Sequence, residues 1–148
     1  MLTTLLHTHA DWASLVLRLV LALVIFPHGA QKVLGWFGGY GYTGTMRYFT
    51  TQAGLPAPVA FTVLMTEFVG PLLLVAGLGT RVIAVLIAAV MVGAIFKVHK
   101  RVGFFMNWTG QAQAGQEGFE YHLLVLAITA ALLVTGGGAF SIDGLIAG

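Results

Sequence analysis

A chain of 148 residues that is 58% hydrophobic and 8% charged, with a mean hydropathy of +0.92, lacks the polar surface that keeps a folded domain in water. The same composition excludes a disordered chain. With no cysteine there are no disulfides, thiolate metal sites or thiol relays, and a formal charge of +2 is too small for a nucleic-acid binder.

Taken in chain order, the hydropathy predicts four spans, at about 12–34, 59–78, 81–99 and 119–136. Each covers the ~30 Å hydrocarbon layer at ~1.5 Å per residue. Each must be helical, because lipid offers backbone groups no partners. The expected fold is all-α: one domain over 1–148, an integral membrane four-helix transmembrane bundle. The segment before the first span holds His7, His9 and Asp11 but no Lys or Arg, so that span reads as retained and not as a signal peptide. Between the first two spans lies a long, glycine-rich loop, in which Thr45–Ala53 predicts a short interfacial helix closed by Gly54. Spans two and three meet in the tight turn Gly77-Leu78-Gly79-Thr80-Arg81 and so are antiparallel. Val82–Phe96 carries no polar side chain. The loop Lys100–Gly118 holds Phe104, Phe105, Met106 and Trp108, suited to the headgroup boundary. Both long loops fall on one side, with Lys32, Arg47, Lys97, Lys100 and Arg101 near it. The positive-inside rule therefore places them in the cytoplasm and both termini outside a cell membrane, inner or plasma.

Ionisable residues within spans are expensive and ask for a reason. His28 and Lys32, Glu67, Lys97 and His99, and Glu117, Glu120 and His122 all lie toward the long-loop side, so the four spans deliver titratable groups to one face. His28 and Lys32 are four apart on one helical face, with Gln31 beside them. Trp36 and Phe105 supply aromatic walls. The pattern predicts a half-buried polar pocket for a lipid-soluble compound with a polar head, such as a quinone. Imidazoles would contact its oxygens, Lys32 would steady a reduced anion, and Glu67, His28 and Glu120 are the candidate catalytic, proton-relaying groups. The bland alternative is that Glu67 pairs with Lys32 or His28 to hold the bundle. On the opposite side Arg18, Arg81 and Asp143 are expected to form an ion-paired tie on the C-terminal segment. Walker, dinucleotide and zincin motifs are missing. No spacing specifies a metal, and none is assigned. A metal at the His/Glu cluster, or a haem between His28 and His99, stays open. Ala84, Ala88, Ala127 and Ala131 are spaced for close helix contacts, within the chain or in a homo-oligomer.

Along nearly its whole length the sequence resembles the DoxX family of small membrane proteins. The matching elements are Arg18-Leu19, His28-Gly29-Ala30-Gln31-Lys32, Phe37-Gly38-Gly39, Leu55-Pro56, Glu67, the Gly77–Arg81 turn, His99, Gly103-Phe104-Phe105, Glu120, and Gly136-Gly137-Gly138 with Ser141-Ile142-Asp143. The resemblance implies a four-helix transmembrane bundle and an oxidoreductase-like role. Related DoxD proteins look like the membrane subunit of a thiosulfate:quinone oxidoreductase. The residues it would carry over are His28, Gln31, Lys32, Glu67, His99 and Glu120. The leading expectation is a quinone-linked membrane oxidoreductase subunit. The rival is a non-catalytic anchor that docks a soluble redox enzyme through the basic loop at Lys97, Lys100 and Arg101. A solute carrier fits less well, because the one-sided cluster offers no continuous polar path.

Overall fold

The computed structural model describes residues 6, 8, 11–108, 110 and 117–147; His7, His9 and 111–116 of the second long loop lie outside the described residues. The described residues form α1 (Trp12–Leu34), α2 (Gly41–Arg47), a π-helical turn (Tyr48–Gln52), α3 (Ala57–Ala76), α4 (Thr80–Lys97), α5 (Glu120–Thr135) and α6 (Ile142–Ala147). The fold is all-helical. The helices α1, α3 and α4 are long and apolar enough to cross a membrane; α5 is apolar but has 16 residues.

Local sequence signals set the ends. Asp11 caps α1 by accepting from Ser14 N at 2.8 Å, and Gly35 ends it in the left-handed region at φ +77. The helix continues through Pro27. Pro58 sits in the first turn of α3, where its missing N–H costs nothing. Gly77, at φ +65, closes α3, and Leu78 N donates back to Leu73 O at 2.9 Å. The short helix of the first loop differs from expectation. It begins at Gly41 and its last turn, Tyr48–Gln52, is π-helical, so the helical stretch starts earlier than Thr45.

The four long helices pack in a ring in the order α1, α3, α4, α5. Their core is aliphatic: Leu21 and Ile25 from α1, Leu74 from α3, Ile87 and Met91 from α4, Val125 and Leu132 from α5. Large apolar side chains cover the outside instead of polar ones, among them Leu23, Leu72, Val85, Leu124 and Val134. An apolar belt of this size belongs against lipid. Antiparallel neighbours put both long connections, Gly35–Pro56 and Val98–Phe119, at the same end.

The opposite end is tied by Arg18, which is fully buried. Its Nη1 donates to Leu74 O and Val75 O at 3.0 and 3.1 Å, and its Nη2 to Ala139 O and Phe140 O at 2.7 and 2.8 Å. Asp143 accepts from Gly79 N and Thr80 N at 2.7 and 2.8 Å and so caps α4. The expected Arg18–Asp143 ion pair is therefore not a direct contact. Arg18 is spent on carbonyls and Asp143 on amides, and the two charges attract through space. Arg81 joins this end by donating to Leu133 O and Val134 O. The C-terminal tie is present, but backbone groups make it.

Replacing Arg18 by Met takes the donor from Val75 O, Ala139 O and Phe140 O, while Leu74 O keeps Gly77 N. The expected loss is at least ~3 kcal/mol. Asp143→Ala removes a helix cap and should cost only ~0.5–2 kcal/mol. Thermal unfolding of both variants in one detergent checks the order; an Arg18→Met Tm equal to or above that of Asp143→Ala would remove Arg18 from its central place.

Candidate functional site

The polar groups at the loop end are assembled by one close helix crossing. A Cβ on Gly29 would run into the carbonyl and backbone of Glu67, so only glycine lets α1 lie this near to α3. Phe26 and Phe68 stack beside the crossing, their centroids 5.7 Å apart. Lys32, one turn further along α1, then reaches Glu67 and makes a hydrogen-bonded salt bridge with Oε2. Glu67 stands ten residues into α3, or ~15 Å from its start, which is half the ~30 Å apolar layer. Its side chain is 5% exposed and that of Lys32 is 27% exposed. An ammonium has three N–H donors. Glu67 takes one, and among the described residues no other protein acceptor takes the remaining two.

The exposed part of Lys32 faces a cavity of about 580 Å³ between α3 and α4. That volume lies within the ~300–1,000 Å³ of small-molecule sites. Lys32, Thr66 and Glu67 form its inner floor. Val59, Val63, Leu86 and Val90 make apolar walls. Tyr48, Phe49 and Leu55, from the π-helical turn and the strap behind it, cover the loop end. Lys97 and His99 stand at the rim.

His99 is held by its neighbour across the second loop. Its Nδ1 lies 2.6 Å from Glu117 O. A carbonyl only accepts, so Nδ1 carries a proton, and in the neutral tautomer Nε2 keeps a lone pair. The His122 ring packs 4.2 Å from that of His99. His122 is buried, at 7% exposure, and its Nδ1 has no partner. The buried Tyr121 hydroxyl is also unpartnered, and its ring lies 6.2 Å from that of His28.

Three of the expected residues thus line the cavity: Lys32, Glu67 and His99. His122 stands behind His99. His28, one turn before Lys32 on α1, is exposed and lies beside Tyr121, outside the cavity lining. Gln31 packs against Gly39, where a Cβ would meet its backbone and Cγ. Trp36 and Phe105 are exposed and pair edge-to-face with Phe37 and Phe104. Glu120 accepts from Met106 N at 2.8 Å and from Trp108 Nε1. It holds the second loop to α5 and does not line the cavity. Residues not singled out from sequence are Tyr121, Thr66 and the cover residues Tyr48 and Phe49. Tyr121 was discoverable as a phenol one residue before His122 in an apolar span.

These features define an integral membrane protein with a ligand-sized cavity whose floor is an ion pair at mid-depth. The chain belongs to the DoxX family, whose model matches residues 13–100. That range takes in α1 from its second residue through α4, and with them Lys32, Glu67, Lys97 and His99. The chain is also similar to a protein of Bacillus subtilis (strain 168) named "Putative oxidoreductase CatD", with 32% identity over 130 residues, 88% of this chain and 84% of that one. No solved structure matches. These relations give the chain a membrane oxidoreductase-related role.

If Gly29 sets the crossing, Gly29→Leu should cost ~1–3 kcal/mol or more through overpacking. Gly93→Ala is the control. A Cβ there meets nothing within 4 Å, so the change should be neutral or stabilise α4 by ~0.5–1 kcal/mol. Equal Tm values for the two variants would refute the tight crossing.

Proposed function

We propose that this chain is the membrane subunit of an oxidoreductase and that its cavity binds a quinone, or a lipid-soluble redox compound of similar chemistry, by its polar ring. The observation that carries this reading is the Lys32–Glu67 pair set into the floor of an otherwise apolar cavity of about 580 Å³. The two spare N–H donors of Lys32 suit a ring carbonyl, or the oxyanion formed when the ring gains electrons. Full reduction of a quinone ring takes up two protons with two electrons. Those protons come from water: the Glu67 carboxylate beside the ammonium and His99 Nε2 at the rim are acceptors that each take a proton and pass it to the reduced ring. The electrons come from a donor outside this chain. In this reading α5 completes the bundle as a short fourth span, and the long loops face the cytoplasm.

A second reading rests on Lys100 and Arg101, both exposed in the turn after α4, with the Lys100 ammonium 5.5 Å from the Phe96 ring centroid. They offer a basic dock for a soluble redox enzyme. Charge reversal of both should release such a partner and leave ring binding intact.

The test of the first reading uses protein in lipid nanodiscs and a short-chain benzoquinone. Glu67→Gln and Lys32→Met should each weaken binding at least tenfold, or ~1.4 kcal/mol. Each also leaves one group of the pair uncompensated and should lower Tm. The double variant should recover much of the Tm but none of the affinity. Recovery of both, or affinity unchanged in every variant, would reduce the pair to a bundle-holding contact.

A further inference from the structure

We infer that the cavity fills sideways from the bilayer: it is a groove one leaflet deep, and an amphiphile lies in it with its polar ring on Lys32 and its apolar chain passing out between α3 and α4. The position of the ring rests on the reading above; the lateral gap does not.

Depth comes first. Along α4 the cavity runs from Leu86 to Lys97, eleven residues or ~16 Å. That is half of the ~30 Å hydrocarbon layer. The groove therefore reaches from the middle of the bundle to one interface and no further.

The outer wall is open. Val59 and Thr62 on α3, and Ala89 and Gly93 on α4, line the cavity and are exposed. Both helices are long and apolar enough to cross a membrane, so hydrocarbon lies against that opening. At the loop end Phe49, Ala53 and Leu55 also line the cavity.

Two glycines mark a difference along the α3–α4 seam. Near the tight turn, a Cβ on Gly70 of α3 would meet Ile83 Cγ2 of α4 at 3.2 Å, and the helices touch. At Gly93, toward the loop end, a Cβ meets nothing within 4 Å, although the residue lines the cavity. The contact at Gly70 and the open space at Gly93 place the groove in the loop-end half of the α3–α4 seam. Small side chains at Ala89 and Gly93 leave the width a chain needs.

The polar groups orient the occupant. The floor offers the spare donors of Lys32 beside Glu67, and the walls offer only apolar contact. A ring oxygen satisfies the floor, and a tail continuing into lipid costs no burial of polar atoms. A phospholipid would carry its charged head to the floor, where desolvation opposes it.

The chain has no cysteine, so one introduced thiol carries one label. In lipid nanodiscs a nitroxide on Gly93→Cys should be mobile and collide with oxygen but not with a water-soluble nickel chelate. A label on buried Thr129→Cys should meet neither. Occlusion or nickel contact at position 93 would overturn the gap. Two probes then test the occupant: a benzoquinone with a ten-carbon chain, and the same ring with methyl in its place. Gly93→Trp fills open space and should fold. It should weaken the long-chain probe at least tenfold and the methyl probe less than threefold. Equal effects on both probes would overturn the chain path. If wild-type protein binds neither probe, the ring reading falls, and the label result alone decides the gap.

Discussion

A guanidinium without access to water has to find acceptors, and Arg18 finds four backbone carbonyls. Two are at the C-terminal end of α3, where the helix dipole also favours a cation. The other two belong to the segment that follows α5. One side chain on α1 therefore pins the end of α3 and the chain after α5 at the same point. Gly77 must be glycine for the same reason: it takes φ +65, and a Cβ there would strike Arg18 Nη1. Asp143, brought in by that segment, caps α4. The clamp then governs what happens farther along. Arg18 against α3 is one fixed point, and Gly29 against Glu67 is a second. Two points set the axial register of α1 on α3, and that register puts Lys32 within reach of Glu67.

The clamp and the site both bury a cation, but they use different chemistry. Arg18 has a planar fork and lies among carbonyls that are parts of helices and turns. Those acceptors cannot dissociate without local unfolding, so the interaction is permanent in the folded state. Lys32 has a flexible stem and pairs with a side-chain carboxylate that can rotate or gain a proton. Such a pair returns little net stability once both groups are desolvated. It does leave donors free toward the cavity. In the proposed reading, a pair that stabilises little and lies on the wall of a ligand-sized space serves what it binds more than what it holds together.

Much of the architecture was legible because hydropathy and length answer to one physical demand, the bilayer. The boundaries of α1 came out as read, at 12–34, and the α3–α4 turn was announced by its glycines. Lys32, Glu67 and His99 could be picked out because an ionisable residue in an apolar run is conspicuous. What sequence spacing could not supply was the rotation of each helix about its axis. His28 lies one turn before Lys32 on the same face, yet the helix crossing leaves it outside. Glu120 shares the depth of the cluster, but Met106 N and Trp108 Nε1 reach it first. Arg18 and Asp143 were read as an ion pair because opposite charges are visible in sequence; carbonyls and amides, which outcompete them here, are present at every residue and so carry no signal. The cavity was hidden because it depends on how α3 and α4 pack between Gly70 and Gly93, which no spacing specifies.

This division of the molecule has a consequence for how function and folding coexist. The aliphatic core joins all four helices, from Leu21 and Ile25 through Leu74 and Ile87 to Leu132. The cavity lies beside it, between α3 and α4 with Lys32 of α1 at its floor, under the π-helical turn and the segment behind that turn. A ligand entering there displaces no core contact. Its chain would exchange one apolar neighbour for another, so most of the discrimination must come from the floor, where a ring oxygen either meets the Lys32 donors or leaves them unpaired. Selectivity in such a site therefore depends on two side chains at mid-depth, and those two are placed by Gly29 and, a further three turns along α1, by the arginine clamp.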